Sequence, residues 1–227
     1  MNWTVIVLGV IVIFMIYVLY VFFLQSSSVI SKSASLKEGN NDPVTTINSG
    51  QSTRYTYGIW VYINTWDSTR EKTIFSRKEN IRLYLAENDP SLYCSITCAS
   101  KDGSSLTEQN ILITDNFAIQ KWVYVVISSD NTIIDAYIDG KLVNSTKLIT
   151  SPNSPEAAKV APINYGDGWD CYVAGLQNWN KPIGPQEVWD NYMSGNSNAI
   201  SNFFGSYSFT FAVSKDNVQQ SSYSVGM

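Results

Sequence analysis

The most apolar stretch of the chain is residues 3–24, which contain no charged, amide or proline side chain. As an α-helix rising about 1.5 Å per residue, this stretch extends about 33 Å, enough to cross a hydrocarbon layer of about 30 Å. A buried helix of this length would carry a polar stripe, which the run lacks. The pattern predicts a single transmembrane helix over residues 1–24. Its anchoring positions are Trp3, Leu8, Ile13, Tyr17 and Leu24.

A secretory signal peptide is the main alternative for this stretch. Signal peptides need a basic segment before a short apolar core, whereas no Lys or Arg precedes this long apolar run. Lys32 and Lys37 follow it closely. Because basic residues favour the cytosolic side, we expect the C-terminal body to lie on the cytosol-equivalent side of a single-pass membrane protein.

Residues 25–52 are rich in Ser, Asn and Gly and contain few large apolar side chains. Such a composition buries little apolar surface, so the sequence predicts a flexible stalk or an extended arm here.

After Thr53, short runs of β-branched and aromatic residues alternate with turn residues. This pattern is typical of an all-β sandwich or barrel. Residues 54–64 carry bulky side chains on both faces, which predicts a central strand. Residues 81–85 and 92–98 flank a turn at Asn88-Asp89-Pro90 and are predicted to pair as antiparallel neighbours.

Residues 121–145 give the clearest local signal, three alternating runs separated by turns. The last two runs are joined by Asp139-Gly140, and Asp-Gly is a strong signature of a two-residue hairpin turn. A three-stranded meander is therefore predicted, with a further strand at residues 170–179.

Residues 184–195 carry the start and stop signals of a short helix. Pro185 suits the first helical position and Gly195 suits the left-handed residue past the end. Val188 and Tyr192 fall on one face and are expected to pack on the sandwich.

We therefore expect one jelly-roll domain over residues 53–196, followed by a C-terminal arm at residues 197–227. The arm is rich in Ser and Asn and contains one alternating island, residues 206–213. The island is predicted to be either an added edge strand or an arm that pairs with a neighbouring molecule. Its contact positions are Tyr207, Phe209 and Phe211.

The composition excludes several functional classes. The chain has no histidine, which removes Ser-His-Asp and Cys-His nucleophiles and histidine zinc sites. Its net charge of −4 comes without any basic block, so the sequence predicts no nucleic-acid binding.

The three cysteines are Cys94, Cys98 and Cys171. On one strand the first two would lie about 13 Å apart, too far to bridge. Either could meet Cys171 across the fold, but an odd count favours buried reduced thiols. Asn144-Ser145-Thr146 is a glycosylation sequon, which would matter only on a lumenal face.

Four segments in this order resemble the laminin-G-like, concanavalin A-like jelly-roll family. They are YTYGIWVYI at residues 55–63, IFSRKENIRLYL at 74–85, KWVYVVIS and IDAYIDGKLV within 121–143, and VAGLQNWNKPIGPQEVWDNYMSG at 173–195. The resemblance covers about 140 residues. It implies an all-β, antiparallel jelly-roll sandwich of two sheets, one of them concave, with sugar binding or adhesion in many relatives.

Some relatives are glucanases, whose catalytic strand carries a Glu-x-Asp-x-x-Glu pattern. Here Glu87 and Asp89 are followed by Leu92, and Pro90 intervenes, so the second acid is missing and the segment has the composition of a turn. We expect no enzymatic activity and no cofactor.

Many relatives bind calcium at the rim of the sandwich. Asp167 and Asp170 could supply two ligands, although calcium takes six to eight oxygens and two carboxylates in a Gly-rich loop are commonly turn formers. Trp66 and Trp169 lie beside turns, where an exposed ring would stack on a sugar. The alternative is that both rings cap the sandwich core.

The whole architecture resembles membrane-linked minor capsid proteins of large icosahedral DNA viruses. That resemblance implies a structural protein linking an internal viral membrane to capsid or other shell proteins, with its body on the cytosol-equivalent side. The alternative function is a membrane-displayed carbohydrate-binding lectin or adhesin. A lectin requires convergent polar groups and an exposed ring, whereas a shell component requires extended interfaces.

Overall fold

The computed structural model describes residues 9, 11–16, 29–39, 41–47, 52–100, 105–157, 159–196, 208–215 and 218–226. The described strands and the helix of the C-terminal half, in chain order, are β1 (Val29–Ser35), β2 (Arg54–Ile63), β3 (Lys72–Arg77), β4 (Ile81–Leu85), β5 (Leu92–Ala99), β6 (Leu106–Thr114), β7 (Trp122–Asp130), β8 (Ile133–Ile138), β9 (Lys141–Lys147), β10 (Ile163–Tyr165), β11 (Cys171–Trp179), α1 (Pro185–Met193), β12 (Ser208–Lys215) and β13 (Val218–Gly226).

Two antiparallel sheets form a sandwich. The larger sheet has the order β1-β11-β2-β7-β8-β9, and the smaller has the order β10-β3-β4-β5-β6. The predicted all-β antiparallel sandwich is therefore confirmed. The inward-facing side chains of both sheets form one apolar core, which includes Val61, Leu83, Ile96 and Val125.

The strongest local predictions are confirmed. β2 is central, between β11 and β7. β7, β8 and β9 form the meander, and Asp139 and Gly140 have φ of 48° and 80°, as a type I′ turn requires. Pro185 begins α1, and Gly195 has φ of 77°.

Several strands were not predicted. β1, β3, β6, β10 and β13 were missed, and residues 25–52, predicted as a stalk, contain β1, which pairs with β11. Leu36 follows it and is fully buried in the core. The Ser-rich composition misled the prediction because an edge strand is held by backbone hydrogen bonds and needs few apolar side chains.

The strand register defines two ends of the sandwich. At the first, which we call the Val29 end, β1 begins beside the end of β11, and Arg54 lies opposite Asp130. At the other, the Asp139 end, lie the β8–β9 turn and the loop before Cys171.

The predicted membrane anchor falls largely outside the described residues, which exclude Trp3, Leu8, Tyr17 and Leu24. Residues 11–16 are helical and expose their apolar side chains, Ile13 by 69%. Within the part of the chain that is described, no helix is both long and apolar enough to cross a membrane.

Candidate binding site

A polar row crosses the outer face of the smaller sheet. The register places Asn164, Ser76, Arg82, Ser95 and Asn110 side by side on five neighbouring strands. A cleft of about 220 Å³ opens on this face. Its lining includes Ser76, Arg82, Ser95, Thr97, Glu108 and Asn164. Hydroxyl, amide, carboxylate and guanidinium groups in one cleft match the alternating donors and acceptors of a sugar.

Arg82 is held in place on two sides. Its Nη1 donates to Glu71 Oε2 at 3.1 Å, and its guanidinium lies 4.0 Å over the ring of Tyr84. Tyr84 in turn stacks on Tyr93, with 5.6 Å between ring centroids. A guanidinium fixed in this way loses little side-chain entropy when it binds a ligand.

Glu108 on β6 accepts a hydrogen bond from Ser95 Oγ at 2.9 Å. This contact orients a carboxylate at the edge of the cleft, where its second oxygen can accept from a ligand hydroxyl.

Beside the cleft, Arg77 is buried and fixes the loop that precedes β10. Its Nε donates to the carbonyl of Ala161 at 3.0 Å and its Nη2 to that of Glu156 at 2.7 Å. Its Nη1 donates to the hydroxyl of Tyr57 in the core at 2.9 Å. The loop is therefore tied to both sheets.

A second candidate surface is an aromatic row on the outer face of the larger sheet. Tyr172, Tyr62 and Trp122 are direct cross-strand neighbours, with ring centroids 6.4 and 5.5 Å apart. Tyr172 is exposed, and the other two are half-buried. We call these three residues the aromatic row.

Next to the aromatic row, α1 covers the rest of this face. Trp60 stacks on Tyr124 of the sheet and on Tyr192 of the helix. Val188 is fully buried, so the predicted packing of Val188 and Tyr192 on the sandwich is confirmed.

Trp169 is not an exposed sugar platform. Its side chain is only 3% exposed, and its Nε1 donates to the carbonyl of Thr73 at 3.0 Å. Trp66 is half-buried against the core, with Lys72 Nζ 4.0 Å from its ring centroid. Both rings cap the sandwich, as the alternative interpretation of the sequence held.

The loop that carries Trp169 tolerates no side chain at Gly166. A Cβ there would lie 1.9 Å from the carbonyl oxygen of Thr73, the same oxygen that binds Trp169. Because a backbone atom must shift, Gly166→Ala is expected to lower the free energy of unfolding by about 3 kcal/mol. Chemical denaturation of the full chain in detergent, followed by near-ultraviolet circular dichroism, measures the change.

Gly184→Ala is the matched control, because a Cβ at Gly184 meets nothing within 4 Å. Gly184 is the N-cap of α1, so its change should cost less than about 1 kcal/mol. Equal losses in the two variants would contradict the proposed clash.

The two candidate calcium ligands, Asp167 and Asp170, have different surroundings. Asp170 accepts hydrogen bonds from Asn64 Nδ2 at 2.7 Å and from Thr65 Oγ1 at 3.0 Å, and these bonds, led by that of Asn64, lower its pKa. Asp167 is exposed and packs against Gly39. Among the described residues no group of three or more Asp, Glu, Cys or His side chains lies close enough to hold a metal. The residues present do not fit a calcium ion.

Lys72 supplies a fixed positive charge near the same rim. Its fully buried ammonium donates to the carbonyls of Arg70, Ala86 and Glu87, each at 2.9 Å. Burial lowers the pKa of this lysine. The ammonium therefore joins the loop before β3 to the turn between β4 and β5.

The segment with Glu87 and Asp89 forms the turn between β4 and β5, as predicted. Asp89 Oδ1 accepts from the backbone N–H of Ser91 at 3.0 Å, which is a turn-forming contact. Neither carboxylate lies on the outer face of a strand.

The C-terminal island pairs within the chain. Phe209 and Phe211 lie on β12, which is antiparallel to β13 in a separate two-stranded sheet. Tyr207 lies outside the described residues. β12 is therefore paired with a strand the sequence did not predict, and it extends neither sheet of the sandwich.

The three cysteines are buried and free, which confirms the predicted reduced thiols. Asn144 of the sequon donates from Nδ2 to the carbonyl of Leu112 at 2.6 Å. This bond joins the edge strands of the two sheets and engages the atom that a glycan would need.

Sequence reasoning missed the polar row and the aromatic row. Alternation in residues 81–85 does place Arg82 and Tyr84 opposite Leu83. Alternation does not determine which strands lie beside β4. The cleft forms only because β3 and β5 are its neighbours.

An antiparallel sandwich of two such sheets, with a polar cleft on the outer face of one of them, has the architecture of the lectin-like jelly rolls. The sequence profile described as Concanavalin A-like lectin/glucanases superfamily, of the laminin G type, matches residues 38–189. The chain belongs to this family.

Solved structures with a similar fold include binding domains of botulinum neurotoxins. The serotype D ligand binding domain, solved in complex with N-acetylneuraminic acid, has a TM-score of 0.55 at 12% identity, over 74% of this chain and 43% of that one. The type G receptor binding domain has a TM-score of 0.52 at 17% identity, over 74% and 45%. The chain thus spans less than half the length of these domains, and the likeness concerns the fold. No curated protein sequence matches the chain.

Proposed function

We propose that the chain is a membrane-anchored, non-catalytic lectin that binds a glycan in the cleft of the smaller sheet. The observation that carries this proposal is the polar row, in which five neighbouring strands each place a polar side chain on one face of the sheet, that of Ser95 buried against Glu108. Arg82 and Glu108 are already oriented there by protein contacts. Recognition of a sugar depends on such fixed donors and acceptors.

The absence of catalysis is part of the proposal. Glycoside hydrolysis needs two carboxyl groups flanking the scissile bond, at about 5 to 10 Å from one another. In the cleft Glu108 is bonded to Ser95 and Glu79 lies beside Lys78, 3.5 Å from its ammonium. Both carboxylates are therefore engaged by protein groups, an arrangement that suits binding without hydrolysis.

The anchor rests on the apolar run at residues 3–24 and on the exposed apolar helix within it at residues 11–16. Lys32 and Lys37 favour a body on the cytosol-equivalent side of the membrane. The free cysteines agree with a reducing compartment.

A second candidate function is a minor capsid component that links an internal viral membrane to shell proteins. The observation that favours it is the hairpin β12–β13. The hairpin is a separate sheet, so each of its strands has one edge that pairs with neither sheet of the sandwich. Such an edge can accept a strand from a neighbouring protein.

Glycan binding is tested with the detergent-solubilised full chain on a panel of neutral and sialylated glycans. Sialylated glycans are included because a similarly folded domain was solved with N-acetylneuraminic acid. We expect Arg82→Ala to weaken binding of the retained glycan at least tenfold, the loss of about one charge-assisted hydrogen bond.

Arg54→Ala is the matched control, because Arg54 is also ion-paired, with Asp130, but lies on β2 of the larger sheet and does not line the cleft. If the chain binds no glycan on the panel, or if both variants lose the same glycan affinity, the lectin proposal is refuted. Protection of the hairpin from protease in assembled particles, but not in the isolated chain, would favour the shell component instead.

A further inference from the structure

The sandwich is tethered very close to the predicted anchor. β1 begins at Val29, five positions after Leu24, the last residue of the apolar run. Whatever its conformation, that length of chain reaches at most about 18 Å. The Val29 end must therefore lie next to the headgroup layer of any bilayer that the apolar run crosses.

The loops at this same end expose apolar side chains. Ile149 is 79% exposed and Val160 is 64% exposed, and both belong to the loop between β9 and β10. Outside residues 11–16, they are two of the three most exposed large apolar side chains described. Each follows a lysine closely, Lys147 and Lys159. Apolar tips flanked by basic residues suit the boundary between acyl chains and anionic headgroups.

Charge differs between the two ends. At the Val29 end, residues 52–54, 78–80, 130–132, 147–162 and 180–184 carry more basic than acidic side chains. At the Asp139 end, residues 36–42, 64–72, 86–91, 115–121, 139–141 and 166–170 carry twice as many acidic as basic side chains. An anionic membrane surface attracts the first end and repels the second.

We infer that the sandwich stands on an anionic lipid surface on its Val29 end, with Ile149 and Val160 in the headgroup layer. The inference rests on the membrane anchor of the proposed function. In this orientation the Asp139 end and the aromatic row point away from the bilayer. The cleft lies on a flank of the sandwich, with its Lys78 and Glu79 side nearest the membrane. The body is then a fixed platform at the membrane and does not move on a long stalk.

The inference is tested by placing an environment-sensitive fluorophore on single introduced cysteines in the full chain. The three native thiols are buried, so an exposed cysteine reacts selectively. The variants are Ile149→Cys, Val160→Cys and, as a matched control at the other end, Ile119→Cys, where the native isoleucine is 39% exposed. Met193→Cys on α1 reports on the flank of the sandwich.

Each variant is reconstituted into phosphatidylcholine vesicles with and without phosphatidylserine, some containing a lipid with a nitroxide on its headgroup. We expect the labels at positions 149 and 160 to be quenched several-fold more strongly than the label at position 119, and more so with phosphatidylserine. Equal quenching at both ends would overturn the inference. Stronger quenching at position 193 would overturn it too, since the sandwich would then lie on its flank.

Alkaline carbonate extraction of the same vesicles distinguishes a wrong orientation of the sandwich from the absence of a membrane anchor. A chain that stays in the vesicles but shows the wrong quenching pattern refutes the orientation alone. A chain that carbonate removes refutes the anchor, and with it the tether on which the orientation depends.

Discussion

Arg77→Met is expected to lower the free energy of unfolding by about 3 kcal/mol, although methionine is apolar and its unbranched side chain can replace the aliphatic part of the arginine. The guanidinium of Arg77 donates to the hydroxyl of Tyr57 and to the carbonyls of Glu156 and Ala161. Removing it leaves buried acceptors unpaired, each at about 1 to 3 kcal/mol, while the cost of burying the charge is relieved in part. Chemical denaturation of the full chain in detergent measures the loss.

The same change should free the loop at residues 147–162, since two of the three bonds hold that loop. Limited proteolysis should therefore cut Arg77→Met within the loop under conditions that leave the native chain intact. Arg54→Met is the control, because its ion pair with Asp130 is exposed and contributes at most about 1 kcal/mol. If both variants lose the same stability, the buried network does not stabilise the fold as described.

The predictions that succeeded rest on local chemistry. Asp139-Gly140 demands two positive φ angles, and the register of β8 and β9 follows from that turn. Pro185 and Gly195 mark the ends of α1 with equally local preferences. In these places a few adjacent residues determine the structure, so the sequence alone is sufficient.

The predictions that failed concern strands held by distant partners. β1 has the composition of a linker, yet β11, more than 130 residues later, supplies its hydrogen bonds. After Leu106, β6 continues with four polar side chains because it is an edge strand whose outer face is exposed. Neither pairing leaves a periodic apolar pattern in the chain.

The candidate site could be predicted only in part for the same reason. Alternation places Arg82 outward, but its proximity to Ser95, Asn164 and Glu108 depends on a sheet order that is not local. Trp169 lies beside a turn, where an exposed ring would stack on a sugar and a buried ring would cap the core. Its burial follows from Gly166, which lets the loop approach Thr73 so closely that the indole folds inward.

Stability is expected to fall steeply above about pH 9 and to change little between pH 6 and 8. The chain has no histidine, so no side chain with an ordinary pKa titrates in the lower range. Burial raises the pKa of the Cys94 and Cys171 thiols far above the value of about 8.5 that holds in the unfolded chain. Burial also raises the pKa of Cys98, Tyr57 and Tyr124.

The sign of the effect follows from proton binding. Above about pH 8.5 the unfolded chain releases thiol protons that the folded chain keeps, so each further pH unit costs about 1.4 kcal/mol per thiol. At pH 10, Cys94 and Cys171 together should remove about 4 kcal/mol, a large share of the 5 to 15 kcal/mol typical of a domain. The lowered pKa of Lys72 acts in the opposite direction, but it is one group against several.

Denaturation of the full chain in detergent at a series of pH values measures this slope. Cys94→Ala should be less stable at neutral pH because it opens a cavity, yet its stability should fall less steeply between pH 9 and 10, by about 1.4 kcal/mol per unit. Lys141→Ala, at an exposed position, should leave the slope unchanged. A slope that Cys94→Ala does not alter would mean that the thiol ionises without unfolding the core, and the core would then be far more open to water than its packing implies.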